Sequence, residues 1–216
     1  MPHYPVSLDL KDRRCVVIGG CSLAEEKARG LLAAGARVTV ISPDLTPGLA
    51  ELAMAGRLDV TARRYRWGDL RKTFLAVVVG VDMGLVEAVW RETRERNVLV
   101  NTVDDVAHCD FIAPAVVRRG DLAVAISTDG KAPALAVRLR QRLESELGEE
   151  HARFLEMAGS VRAPLARLLP DLAKRRDLWY RLLDSDILHL LRRGQEAAAI
   201  DRFEEILGVR PEIGAA

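Results

Sequence analysis

Three short stretches hold the side chains and backbone best suited to chemistry. The first is Gly19-Gly20-Cys21-Ser22-Leu23-Ala24, directly after the apolar run Val16-Val17-Ile18. A glycine turn that opens a helix offers free backbone N–H groups and the positive end of the helix dipole to an anion. The dinucleotide fingerprint is Gly-x-Gly-x-x-Gly/Ala. Gly19 and Ala24 fill its first and third positions, and Cys21 stands at the second, where a pyrophosphate must come close. Three readings stay open for Cys21: a tolerated side chain that alters cofactor binding, a weakened nucleotide site, or a thiol activated by the helix terminus. An acidic side chain about twenty positions further on should hold the ribose 2′-hydroxyl. Asp44 has that spacing, but it follows Pro43 and so belongs to a loop, where solvating a turn is the alternative.

The second stretch is Asn101-Thr102-Val103-Asp104-Asp105, which ends an apolar run. At the carboxyl edge of a parallel sheet, Asp104 is placed to act as general acid or base. A strand-end turn explains the same residues. His108-Cys109-Asp110 adds metal-capable groups. Three adjacent residues do not form a ligand set, so His108 reads first as part of a loop and only second as a ligand. The third stretch, Ser127-Thr128-Asp129-Gly130-Lys131-Ala132-Pro133, opens a long helical pattern. Thr128 or Asp129 would cap that helix. The same N-terminus, with Lys131, Arg138 and Arg142 nearby, would also suit a multiply anionic ligand.

The elements that must position these residues follow from periodicity. Short β-branched runs at 15–18, 38–41, 58–62, 75–79 and 98–103 alternate with helical patterns at 23–34, 49–55 and 86–96. That alternation, with strands apolar throughout, predicts a Rossmann-like parallel sheet covered on both faces. Ser22 and Glu25 have capping-box spacing, and Gly35 is a natural helix terminator. Two further strands, at 111–117 and 122–128, are joined through Arg118-Arg119-Gly120-Asp121. A helix over 134–147 carries Leu135, Leu139 and Leu143 on one stripe, and everything from 149 to 208 has helical periodicity. The expected layout is a nucleotide-binding domain at 1–110, a small strand-helix segment at 111–148 and a C-terminal helical domain at 149–216.

Bulk composition narrows the function classes. A net charge of +1 over 216 residues, with 5% aromatics, points away from nucleic acid. No apolar run is long enough to span a membrane, and the first residues lack a signal-peptide layout. Three unevenly spaced cysteines suit a reducing compartment, so a cytoplasmic location is expected.

Together these segments resemble the precorrin-2 dehydrogenase/sirohydrochlorin ferrochelatase family, including the N-terminal module of siroheme synthase. The resemblance rests on Tyr4-Pro5-Val6 through Leu8 and Arg13, on Gly19–Ala24, on Lys27-Ala28, and on Gly35-Ala36 through Val38-Thr39-Val40. Its most specific part is Asn101-Thr102-Val103-Asp104, Phe111-Ile112, Pro114, Arg119-Gly120-Asp121-Leu122, Ala125-Ile126-Ser127-Thr128 and Pro133 through Ala136. The resemblance implies NAD-dependent oxidation of precorrin-2 to sirohydrochlorin, with ferrous iron insertion as a second activity in some members. It implies a homodimer and a tetrapyrrole substrate. It places proton transfer, and in bifunctional members chelation, on Asp104. It places cofactor contacts around Gly19, Gly20, Cys21, Ser22, Leu23, Pro43 and Asp44. Asn101, Ser127, Thr128, Arg118 and Arg138 are expected near the tetrapyrrole. Two departures fall on the cofactor side: Cys21 for a glycine, and Val79-Gly80-Val81-Asp82, with Val86 downstream, for a usual Ala-Thr-Asp-Asp and Asn. They point to cofactor use as the step in which this chain differs. A chelatase or tetrapyrrole-binding protein with impaired NAD binding, and a redox or nucleotide sensor built on Cys21, are the competing readings.

Overall fold

The computed structural model describes residues 3–80 and 82–212. The chain divides into two compact units, one running to Ala113 and the other starting at Pro114.

The first unit is built on five parallel strands: β1 (Arg14–Ile18), β2 (Arg37–Ile41), β3 (Asp59–Thr61), β4 (Leu75–Val78) and β5 (Leu99–Thr102). Their order is β3-β2-β1-β4-β5. The direction of winding reverses between β1 and β4, which makes the crevice beyond their carboxyl ends the ligand site of such a sheet. Alternate residues feed two cores. Cys15, Val17, Val38, Val40 and Val77 pack with Ala24 and Ala28 of α1 (Ser22–Ala33) and Leu49 of α2 (Pro47–Met54). Val16, Ile18, Ala76, Val78 and Val100 pack with Val86 and Val89 of α3 (Met83–Arg96). Burial on both faces is why these strands are apolar throughout rather than alternating.

Helix α1 ends as Gly35 predicts. Gly35 has φ +79°, its N–H donates to Leu32 O, and Ala36 N–H donates to Leu31 O. This is a Schellman stop, and the left-handed residue at its centre favours glycine. The N-terminus differs from the capping-box expectation. The cap is Cys21 rather than Ser22, and no side chain of the described residues bonds the first-turn N–H groups. Glu25 turns elsewhere, for reasons given below.

In the second unit, β6 (Ala115–Arg119) and β7 (Leu122–Ile126) form an isolated antiparallel hairpin. Its two-residue turn has Gly120 at the first central position with φ +53°, which suits a primed turn. The strand begins four residues later than the apolar pattern from Phe111 suggested. Phe111 packs against the first unit's core instead, and Pro114 has no N–H to give a ladder. Helices α4 (Pro133–Glu146) and α5 (Glu149–Leu168) pack on the hairpin, and α6 (Leu172–Leu183), α7 (Ile187–Arg192) and α8 (Glu196–Leu207) complete the unit. Phe154, Met157, Val161, Leu165, Leu182, Ile187, Ala199 and Phe203 form its core. The Leu135/Leu139 stripe of α4 is not in that core. Ala136 is the buried residue of the helix, while Leu135 and Leu139 are 52% and 37% exposed.

Candidate functional site: a dinucleotide crevice and an acidic turn

The glycine turn sits at the switch point of the sheet. Gly19 has φ +126°, and a Cβ there would come to 2.5 Å from Val79 O at the end of β4. A Cβ on Gly20 would overlap the Asp44 carbonyl oxygen. The two glycines thus let the turn nest between the ends of β4 and β2. Gly19 N–H donates to Ile41 O, and Thr46 N–H donates to Gly20 O. Cys21, by contrast, has φ −81° and an exposed side chain. The fingerprint position is extended backbone that any residue adopts, so the cysteine introduces no strain.

A clasp holds the β2–α2 loop against this turn. Glu25 accepts from the Thr46 hydroxyl at 2.5 Å and from Arg29 Nε at 2.8 Å. Thr46 in turn caps α2, its Oγ1 accepting Leu49 N–H at 3.2 Å. A Cβ on Gly48 would meet the Glu25 carboxylate, so a larger residue there would have to move this side chain out of the clasp. The Thr46 hydroxyl bond, then the Arg29 bond, hold the Glu25 carboxyl below its usual range. The loop so fixed carries Pro43 and Asp44, both exposed. The missed signal was Thr46-Pro47, a cap followed by proline at the first helical position.

Uncapped N–H groups at Ser22 and Leu23, a helix of 12 residues, and a turn stripped of Cβ atoms match the donor set that holds a pyrophosphate. The residues present therefore fit a dinucleotide. Val81, one of the altered positions after β4, lies outside the described residues. Asp82 accepts Gly84 N–H and caps α3, and Val86 is buried in the core.

The acidic turn lies on the same carboxyl edge. Ile18 pairs with Val78, and Val78 with Thr102, so the ends of β1 and β5 are level across β4. Two strand spacings separate them by about 10 Å. Beyond Thr102 the chain turns at Val103 and Asp104, and Asp105 N–H donates to Thr102 O at 3.2 Å. Asp104 is left-handed at φ +62° and exposed, and its carboxylate makes no bond to the described residues. Asn101, buried at the strand end, donates its amide to Phe111 O at 3.0 Å.

His108 is held rather than free. Its Nδ1 is 2.6 Å from Asp105 Oδ2 and its Nε2 is 3.5 Å from Glu87 of α3. Its ring stands edge-on to Trp90, with centroids 5.4 Å apart. Arg94 stacks over Trp90 and pairs with Asp110, whose carboxylate also accepts Val100 N–H. The loop after β5 is thereby fastened to α3. Among the described residues no group of three or more His, Cys, Asp or Glu side chains is arranged to hold a metal.

The remaining candidates belong to the second unit. Asp129 and Gly130 are both left-handed in a tight turn closed by Lys131 N–H to Thr128 O. Thr128 Oγ1 accepts Ala132 N–H at 3.3 Å, and Ser127 Oγ accepts Asp129 N–H at 3.2 Å. Arg118 and Arg138 are exposed. Arg119 is spent on structure: it donates to Leu147 O and Glu144 O, both at 2.8 Å, and closes the end of α4.

A doubly wound sheet with a bare helix N-terminus at its switch point defines a dinucleotide-binding protein of the Rossmann class. Residues 6–115 match the family model described as "Putative NAD(P)-binding". Residues 119–146 match a sirohaem biosynthesis protein central segment, and 150–207 a sirohaem synthase dimerisation region. The chain belongs to the precorrin-2 dehydrogenase and siroheme synthase family. It is 37% identical over 205 residues to a siroheme synthase of Chromobacterium violaceum, covering 95% of this chain and 44% of the relative. It is 39% identical over 219 residues to siroheme synthase 1 of Aeromonas salmonicida, covering 99% of this chain and 47% of the relative. The chain thus spans less than half the length of these curated relatives. A solved structure of SirC, precorrin-2 dehydrogenase, superposes with a TM-score of 0.76 at 27% identity, covering 96% of this chain and all of that one.

Proposed function

We propose that this chain, as a homodimer in the cytoplasm, oxidises precorrin-2 to sirohydrochlorin with NAD. The observation that carries the proposal is one sheet edge bearing two complementary features. One is a bare helix N-terminus behind Gly19 and Gly20 after β1, and the other is a carboxylate at Asp104, without a partner among the described residues, after β5; the two strand ends lie about 10 Å apart across β4. Support comes from the likeness to a precorrin-2 dehydrogenase over the full length of that protein.

The Ser22 and Leu23 N–H groups would hold the pyrophosphate, with Asp44 at the ribose. Bound there, the nicotinamide supplies a hydride acceptor at its C4. Asp104 removes the ring proton as hydride leaves the macrocycle, a role that needs a carboxylate free of internal partners. Asn101 supports the strand end beneath it. Ser127, Thr128, Arg118 and Arg138 are the groups we assign to the substrate's carboxylates. Ferrous iron, the second substrate that the resemblance adds, would be inserted at the same carboxylate.

The homodimer is supported by the match of 150–207 to a dimerisation region. Leu135, Leu139 and Val116 are exposed, and Leu172, Tyr180 and Leu183 line a cavity of about 800 Å³ in the same unit. A second copy of the chain would cover such surfaces.

The test is to supply precorrin-2 with NAD and follow NADH and sirohydrochlorin absorbance, then add Fe²⁺ and follow siroheme. NADH formation that requires precorrin-2 is the expected result. Tetrapyrrole binding without saturable NAD binding would replace the proposal with the carrier or chelatase reading.

A further inference from the structure

The turn that carries Asp104 is tied at both ends by one thiol. Cys109 follows the 3-10 turn Val106–His108 and brings its Sγ back under the strand end. Sγ accepts Thr102 N–H at 3.1 Å. Its single hydrogen is shared between Thr102 O and Asp105 O, each at 3.2 Å. The Asn101 amide adds a longer contact at 3.6 Å. Thr102 and Asp105 are the first and last residues of the turn, and Asp104 sits between them in a left-handed conformation. For a residue with a Cβ that conformation costs up to roughly 1–2 kcal/mol, and the thiol's bonds to both ends of the turn help to hold it. Burial pushes the Cys109 thiol up, which keeps the donated hydrogen in place at neutral pH.

We propose that Cys109 is a positioning residue: its thiol sets the Thr102–Asp105 turn so that the Asp104 carboxylate stands clear of the protein's own donors and meets the substrate. The inference rests on the reading of Asp104 as the proton-transfer group. The chemistry required at position 109 is a compact side chain that both accepts from an N–H and donates to carbonyls. Serine satisfies this requirement, whereas alanine and valine do not.

The experiment uses the full chain with Cys109→Ala, Cys109→Ser and Asp104→Asn. It measures kcat with precorrin-2, the Kd values for NAD and sirohydrochlorin, and hydrogen exchange of the Asp105 amide. For Cys109→Ala we expect kcat to fall between about ten-fold and a hundred-fold, as for a misplaced catalytic group. Both Kd values should hold within about two-fold. Faster Asp105 exchange should accompany the loss, and Cys109→Ser should restore most of both. If alanine at 109 unfolds the protein, Cys109→Val fills the space without the hydrogen bonds and is read in the same way. Wild-type kcat in the alanine variant, beside an inactive Asp104→Asn, would overturn the proposal. So would a parallel collapse of NAD affinity. If Asp104→Asn turns over normally, the reading of Asp104 has failed instead. Asp105 exchange then decides alone, and unchanged exchange in Cys109→Ala sinks the role of the thiol.

Discussion

Cys21 and Gly20 exchange importance once the backbone is known. The fingerprint makes Cys21 the suspect residue, yet it sits at φ −81° with an exposed side chain. Gly20, an unspecified position in the motif, is the one with no room for a Cβ. We expect Cys21→Gly to change NAD affinity by less than about three-fold and stability by only a few tenths of a kcal/mol, since glycine is a tolerated cap. A ten-fold gain in calorimetric titration would show that the sulfur itself obstructs the cofactor. Gly20→Ala must displace the Asp44 loop. It should cost about 1–3 kcal/mol in denaturant unfolding and weaken NAD together with it. Asp104 carries strain of the opposite kind. Asp104→Gly relieves the left-handed backbone and should raise stability by about 1 kcal/mol. The same change removes the carboxylate, so turnover should fall by at least about a hundred-fold. A glycine variant that keeps its turnover would end the proton-transfer assignment.

At the level of elements, the loop between β3 and β4 hangs on one buried carboxylate. Glu92 of α3 is fully buried and accepts from Tyr65 Oη at 2.5 Å, Gly68 N–H at 2.9 Å and Arg96 Nε at 2.5 Å. Burial pushes its carboxyl up, but the Tyr65, Gly68 and Arg96 donors outweigh it and hold the group below the usual range. Glu92→Gln should therefore cost about 2 kcal/mol or more at pH 7, because the donors lose their charged partner and the amide nitrogen faces two of them in place of an accepting oxygen. A carboxyl depressed on folding contributes fully above its unfolded value of about 4.3. That contribution fades as pH falls through the lower folded value. The gap between wild type and Glu92→Gln in urea titrations should thus narrow below about pH 4. A gap independent of pH would contradict the assignment.

Periodicity exposes such elements unevenly. The five strands are legible because both faces are buried, which makes each a short apolar run. Gly35 is legible because a left-handed stop nearly names its residue. Glu25 is not, because three residues from Ser22 it satisfies a local rule while its real partner, Thr46, is twenty-one residues away. Cys109 and His108 fail for the same reason. Adjacent in sequence, they read as a loop, and their value lies in what the chain's return brings to them. Asp104 reads two ways from its place at the sheet edge, as an acid or base or as ordinary turn composition, and only the family pattern favours the first.

The whole molecule consists of two units built on different principles. The first closes both faces of its sheet internally. The second leaves Leu135 and Leu139 of α4 and Val116 of β6 uncovered. Leu135→Asp should shift the protein toward monomer in sedimentation while leaving the isolated NAD affinity within about two-fold. An unchanged sedimentation coefficient would move the interface elsewhere. The hairpin β6–β7 has a longer consequence. Two strands by themselves are marginal in water; here α4 and α5 pack on the pair, while no further strand joins either edge among the described residues. If association adds to that support, folding and assembly become one equilibrium governed by mass action. The melting temperature of this protein should then climb as it is concentrated, and dilution alone should act as a denaturant.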